Sequence, residues 1–205
     1  MERLHIYLFG KAAGIPDTNI YGIEVFQEMV DQASQHIRAY QVDLEKQLLP
    51  FTANFFDVVI CNQVLEHLKN VFLPMNEIWR VTKPGGILIL STPNLAAVHN
   101  RLLMLIGKQP TCIRTFGPHI RGFTANELIR FATEGGLFEL EDINGIGWHP
   151  LKANGLLCKA LVKAFPLMAH TVVLVLRKRK VDTHIVTTWM KWINQEGIQT
   201  NFMNK

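Results

Sequence analysis

Two runs of strand length are almost free of polar side chains: Phe56-Asp57-Val58-Val59-Ile60-Cys61 and Ile87-Leu88-Ile89-Leu90-Ser91-Thr92. A strand with one wet face would alternate. Near-continuous apolar runs therefore predict strands covered on both faces, as in parallel sheets. Between them Phe72, Met75, Ile78 and Trp79 recur at three and four, which predicts a helix over residues 71–81. Pro84-Gly85-Gly86 predicts a stop and a turn. The same alternation comes earlier: residues 19–25 read as a strand, 27–36 as a helix and 37–42 as a short strand. Strand, helix, strand, helix in this order predicts an α/β fold, a doubly wound and mostly parallel sheet with helices on both faces.

Beyond Pro93 the pattern loosens. Residues 95–106 read as a helix and 107–122 as a loop. Thr124 is the expected N-cap of a helix running to Glu134, with Glu127 completing a capping box and Gly135-Gly136 ending it. Residues 138–143 and 171–176 read as strands, 151–165 as a helix, and 186–193 as a short helix in the tail. The expected organisation is one domain over residues 1–180, with inserts at 93–123 and 144–170, and a tail at 181–205.

The 205 residues are 48% hydrophobic, enough for a sizeable core. Lys and Arg number 21 against 17 Asp and Glu, and four of those cations sit in one run, Arg177-Lys178-Arg179-Lys180. That leaves no spread basic face, so no nucleic-acid partner is expected. Cys61, Cys112 and Cys158 are far apart with no CxxC, which argues against a disulfide framework and a cysteine zinc site. No metal is expected, and a reducing, cytoplasmic compartment fits. No apolar h-region follows Met1. Residues 155–176 are the one stretch that invites a membrane reading. They contain Lys159 and Lys163, each costing about 2.5–3.5 kcal/mol at the centre of a membrane helix, so an amphipathic helix and a buried strand are expected instead.

In open parallel sheets ligands bind beyond the carboxyl ends of the strands. Glu24 ends the first strand, with Val25 beside it, and a carboxylate there can accept both ribose hydroxyls. It also fits a solvated loop acid. Asp43, followed by Leu44, ends the second; it suits an exocyclic amine of adenine as well as an Asx turn. Asn62-Gln63-Val64-Leu65-Glu66-His67 follows Cys61, and Ser91-Thr92-Pro93-Asn94 follows Leu90.

These segments resemble class I S-adenosylmethionine-dependent methyltransferases, most closely the small-molecule group called type 11. The resemblance is carried by Tyr21-Gly22-Ile23-Glu24-Val25, Asp43-Leu44, Leu49-Pro50-Phe51, Phe55-Phe56-Asp57-Val58-Val59, Val64-Leu65-Glu66-His67-Leu68, Trp79-Arg80-Val81-Thr82-Lys83-Pro84-Gly85-Gly86 and Pro93-Asn94. His119-Ile120-Arg121-Gly122-Phe123-Thr124 extends it, and it covers about residues 19–180. It implies a Rossmann-like sheet ending in a reversed hairpin from strands 138–143 and 171–176. It implies methyl transfer from the cofactor S-adenosylmethionine to a small-molecule or lipid- or sugar-linked acceptor. Glu24 and Val25 would hold the ribose, Asp43 and Leu44 the adenine, and Asn62, Gln63 and Val64 would face the methionine end. His67 and His119 are the candidate bases for a hydroxyl acceptor.

The family's first strand and glycine-rich loop belong about 18–20 residues before Glu24. Counting back reaches Arg3-Leu4-His5-Ile6-Tyr7-Leu8-Phe9-Gly10, which reads as the remainder of the helix after that loop. Gly10 and Gly14 follow no strand. The expectation is an N-terminally truncated sheet with weak or no cofactor binding, low stability alone, or pairing with another chain as a dimer through the incomplete sheet. Three other readings stay open. A non-catalytic remnant would act as a binding or scaffold module. A nicotinamide dehydrogenase also places an acid after its second strand, but no glycine fingerprint supports it here. A peripheral membrane contact would use residues 177–180 and the amphipathic helix before them.

Overall fold

The structure, a computed structural model, describes residues 14–151 and 153–180. The helix remainder expected at residues 3–10 and the tail helix at 186–193 lie outside the described residues. Strands β1 (Tyr21–Glu24) and β2 (Arg38–Gln41) pair in parallel, Glu24 opposite Gln41, with helix α1 (Gln27–Ala33) as the crossover. Strands β3 (Phe56–Asn62), β4 (Thr82–Pro93), β5 (Phe138–Ile146) and β6 (Thr171–Lys178) form a second sheet in the order β3-β4-β6-β5. Helix α2 (Phe72–Val81) carries the parallel β3–β4 crossover. Strand β6 runs antiparallel to both β4 and β5, the reversed hairpin expected. Helices α3 (Val98–Leu105), α4 (Ala125–Thr133) and α5 (Leu156–Ala164) lie in the later half. Among the described residues none is long and apolar enough to cross a membrane.

The chain divides into two compact units. Among the described residues, one holds 14–51 and 70–77, the other 52–69 and 78–180. In the first, Tyr21 and Tyr40 meet Phe51 edge to face at 5.5 and 5.3 Å. The buried Glu77 carboxylate accepts from Leu49 N, and Asn70 Oδ1 accepts from the N–H groups of Phe72 and Leu73. Those are amides that a helix start leaves without carbonyl partners.

In the second unit the core follows from register. Leu88 faces Leu176, Leu90 faces Leu174 and Thr92 faces Val172, and all six are fully buried. Burying each leucine stabilises the sheet by about 1.5–3 kcal/mol. Leu128 and Ala132 on α4 and Phe138 at the start of β5 are buried with them. Thr124 caps α4 by accepting from Glu127 N at 3.2 Å.

Three expectations need correction. Strand β3 is not covered on both faces: Val58 is 49% exposed, and among the described residues β3 ends its sheet with β4 as its one partner. Pro84-Gly85-Gly86 is not a turn before the strand but a bulge inside β4. The pairing jumps from Phe56–Thr82 to Val58–Ile87, so the residues between are extruded. Gly85 has φ +81°, and a Cβ on Gly86 would stand 2.9 Å from the Asp57 and Lys83 carbonyls, so both positions need glycine. The run at 177–180 is not an open basic patch. Arg177 pairs with Glu141 and Arg179 with Glu139 across the β5–β6 ladder, while Lys178 points the other way and is buried.

Candidate functional site

Each unit carries its own set of strand-end polar residues. In the first, β1 ends in Glu24, whose Oε1 accepts from Val25 N at 2.9 Å. That bond fixes the carboxylate at the strand's carboxyl end. Val25 and Phe26 beside it are exposed. One residue past β2, Val42 N extends the ladder to Glu24 O, and Asp43 follows. Asp43 Oδ1 accepts from Glu45 N at 3.0 Å, an Asx turn, and Oδ2 pairs with Lys46 at 2.8 Å. The Lys46 ammonium, helped by the Glu45 amide, holds the Asp43 carboxyl below its ordinary value. A nucleoside amine would have to displace the Lys46 contact. That contact is a surface pair of small worth, and the part-buried Leu44 stands beside it. The carboxylates thus fit the acceptor roles a ribose and an adenine need, with Glu24 the better placed.

In the second unit β3 delivers Asn62, exposed at the strand end, where its Oδ1 accepts from Ser91 Oγ. Gln63 N donates to Ser91 O at 3.0 Å, and Gln63 itself has φ +53°. A non-glycine residue in that region costs about 1–3 kcal/mol, and such strain gathers at binding sites. Here the ladder to Ser91 on one side and the 3-10 turn Leu65–His67 on the other, separated from Gln63 only by Val64, hold it. Thr92 Oγ1 is buried without a hydrogen-bond partner among the described residues. Cys61 is no nucleophile: burial first, then the Glu66 charge, pushes its thiol up to about 12.

The insert after β4 returns to this strand end. Ile120 N and Arg121 N both donate to Glu66 O, at 2.9 and 3.2 Å, and the His67 and His119 rings meet edge to face at 4.7 Å. So the structure joins His67 to His119, and Asn62 and Gln63 to Ser91. It assigns a different part to Asn94. That side chain is fully buried, donating to Leu167 O and Ala169 O, and clasps the insert rather than a ligand. Sequence reasoning missed Glu66 as a site residue. It is 2% exposed although it sits in a short polar turn; its apolar flanks Leu65 and Leu68 were the available signal.

Known proteins agree with this architecture. Residues 5–90 match the model of a family described as a methyltransferase domain. A solved S-adenosylmethionine-dependent methyltransferase from Archaeoglobus fulgidus superposes with a TM-score of 0.57 at 13% identity, covering 83% of this chain and 80% of that one. The cyclase SpnF superposes with a TM-score of 0.54 at 21% identity, covering 82% and 70%, so the fold alone does not fix the reaction. Fold and family match make the chain similar to the class I S-adenosylmethionine-dependent methyltransferases. Within that class it is similar to the ubiquinone biosynthesis O-methyltransferases of Coxiella burnetii (29% identity over 144 residues, 65% of this chain and 59% of that one) and Methylococcus capsulatus (30% over 142, 63% and 58%). The chain thus spans about three fifths of the length of these relatives.

Proposed function

We propose that the chain takes part in methyl transfer from S-adenosylmethionine to an oxygen of an apolar small-molecule or lipid-linked acceptor. The cofactor supplies an electrophilic methyl on a sulfonium. Glu24 and Val25 hold the ribose, Asp43 and Leu44 the adenine, and Asn62, Gln63 and Val64 face the methionine end. In-line displacement asks mainly for positioning. For a hydroxyl acceptor a base helps, and each candidate imidazole is set for it. His67 Nδ1 lies against Pro118 O and His119 Nδ1 against Cys112 O. A carbonyl can only accept, so Nδ1 carries the proton and Nε2 is left to take one. The apolar acceptor is supported by the insert helices, which expose Leu102, Leu105, Leu156 and Leu157, and by the names of the relatives.

The single observation that carries the reading is Gln63, strained between the Ser91 ladder and the Leu65–His67 turn, where the family faces its reacting methyl. The test is transfer of labelled methyl from S-adenosylmethionine to a hydroxylated aromatic bearing an isoprenoid tail. His67→Ala and His119→Ala are compared with the parent chain. Loss of transfer in both with cofactor affinity unchanged supports the assignment. Cofactor binding without transfer to any hydroxyl acceptor would instead favour a non-catalytic binding module.

A further inference from the structure

Glu66, His67 and His119 each bring one ligand atom within 4.8 Å of the others. Two imidazoles and a carboxylate make a familiar donor set for zinc and its neighbours in the transition series. The histidines are also held as ligands are held. His119 Nδ1 lies 2.7 Å from Cys112 O, and His67 Nδ1 makes a longer contact of 3.3 Å to Pro118 O. An Nδ1–H anchored on a backbone carbonyl fixes the tautomer and leaves Nε2 as the donor atom. The two halves of the cluster are tied by main chain, since Glu66 O accepts from both Ile120 N and Arg121 N. Glu66 is buried, His119 half-buried and His67 exposed, so the carboxylate lies at the inner end of the trio and an entry path is open.

We propose that Glu66, His67 and His119 form a binding site for one divalent transition-metal ion, zinc being the best match. This departs from the expectation of a metal-free chain, which was argued from cysteine spacing. Coordination uses the Nε2 lone pairs, so a bound ion and general-base action by His67 or His119 exclude each other. With the ion present, lowering of an acceptor hydroxyl's pKa falls to the metal, a consequence that rests on the methyl-transfer reading.

The full chain is stripped with chelator, then titrated with Zn²⁺ by calorimetry and with Co²⁺ by visible absorption. One equivalent should bind, with a Co²⁺ d–d band of four- or five-coordinate strength. His67→Ala and His119→Ala should each weaken binding at least tenfold, and Glu66→Gln should weaken it while keeping the size of the buried group. His99→Ala, in a separate histidine group, should leave binding unchanged. Far-UV circular dichroism checks that each variant folds. Where an alanine variant does not, His67→Gln and His119→Gln take its place. No stoichiometric binding, or binding that survives loss of both histidines or disappears with His99, would overturn the proposal. Titration with S-adenosylmethionine on the same samples reads the methyl-transfer assignment separately.

Discussion

Lys178→Met should unlatch the second unit. The Lys178 side chain is buried, and its ammonium donates to Asn54 Oδ1 at 3.0 Å and to the Trp79 and Thr82 carbonyls at 2.6 Å each. It also sits 4.1 Å from the centre of the Trp79 ring. It thereby joins the end of β6 to the C-terminal end of α2, the start of β4 and the turn at Asn54, a residue with φ +58°. Three hydrogen bonds to a charged donor are worth about 1.5–3 kcal/mol each, or about 4.5–9 together. Against them, burial pushes the ammonium's pKa from 10.5 down to about 8, which at 1.36 kcal/mol per pH unit is about 3 kcal/mol. The difference leaves a loss of about 1.5–6 kcal/mol for methionine, centred near 4, and a fall in Tm of roughly 8–16 °C. The pH signature is sharper. Between pH 8 and 10.5 the unfolded chain holds the Lys178 proton that the folded chain has released, so the parent protein gains stability as pH rises through that window. The methionine variant should lack that gain. Urea melts at pH 7, 8, 9 and 10 read both effects. A variant as stable as the parent at pH 7, with the same alkaline slope, would show that Lys178 is not the latch.

Gln63→Gly should remove left-handed strain and raise stability by about 0.5–1 kcal/mol in urea melts; a loss above 1 kcal/mol would show that the Gln63 side chain matters more than its backbone. His99 stacks on His170 at 5.3 Å and tilts toward His149 at 5.1 Å. Burial first, then the neighbouring imidazoles, holds His99 and His170 below their ordinary value of 6.5. The unfolded chain therefore takes up protons first as pH falls below about 6.5, and stability declines from there until the folded imidazoles also protonate. His99→Gln with His170→Gln should flatten that decline in thermal melts between pH 7 and 5, and an unchanged slope would refute it. Thr124→Ala should cost about 1 kcal/mol by freeing Glu127 N, and no change in the melt would mean that solvent replaces the cap.

The element order was legible because each segment announces its period. The run 87–90 is apolar throughout and lies in the fully paired part of β4. The α4 cap was legible because Thr124 and Glu127 act within one turn. What was hidden depends on contacts distant in sequence. The glycine pair after Pro84 reads locally as a turn, yet Asp57 decides that it is a bulge. The run at 177–180 reads as a basic patch, yet the period of a strand sends Lys178 inward and leaves Arg177 and Arg179 facing Glu141 and Glu139. Of the candidate site, Glu24, Asp43, Asn62 and Gln63 were legible as polar ends of apolar strands. The meeting of His67 with His119, 52 positions apart, was not, because only the return of the insert onto Glu66 O creates it.

The central claim is that Glu24 anchors the ribose of S-adenosylmethionine. Calorimetric titration of the cofactor into the chain, beside Glu24→Ala and the control Glu28→Ala on α1, tests it directly. Saturable one-to-one binding is expected, which Glu24→Ala weakens by about 1.5–3 kcal/mol, roughly tenfold to 150-fold, and Glu28→Ala leaves unchanged. Saturable binding of equal strength in the parent chain and in Glu24→Ala, or no binding at millimolar cofactor, would contradict it.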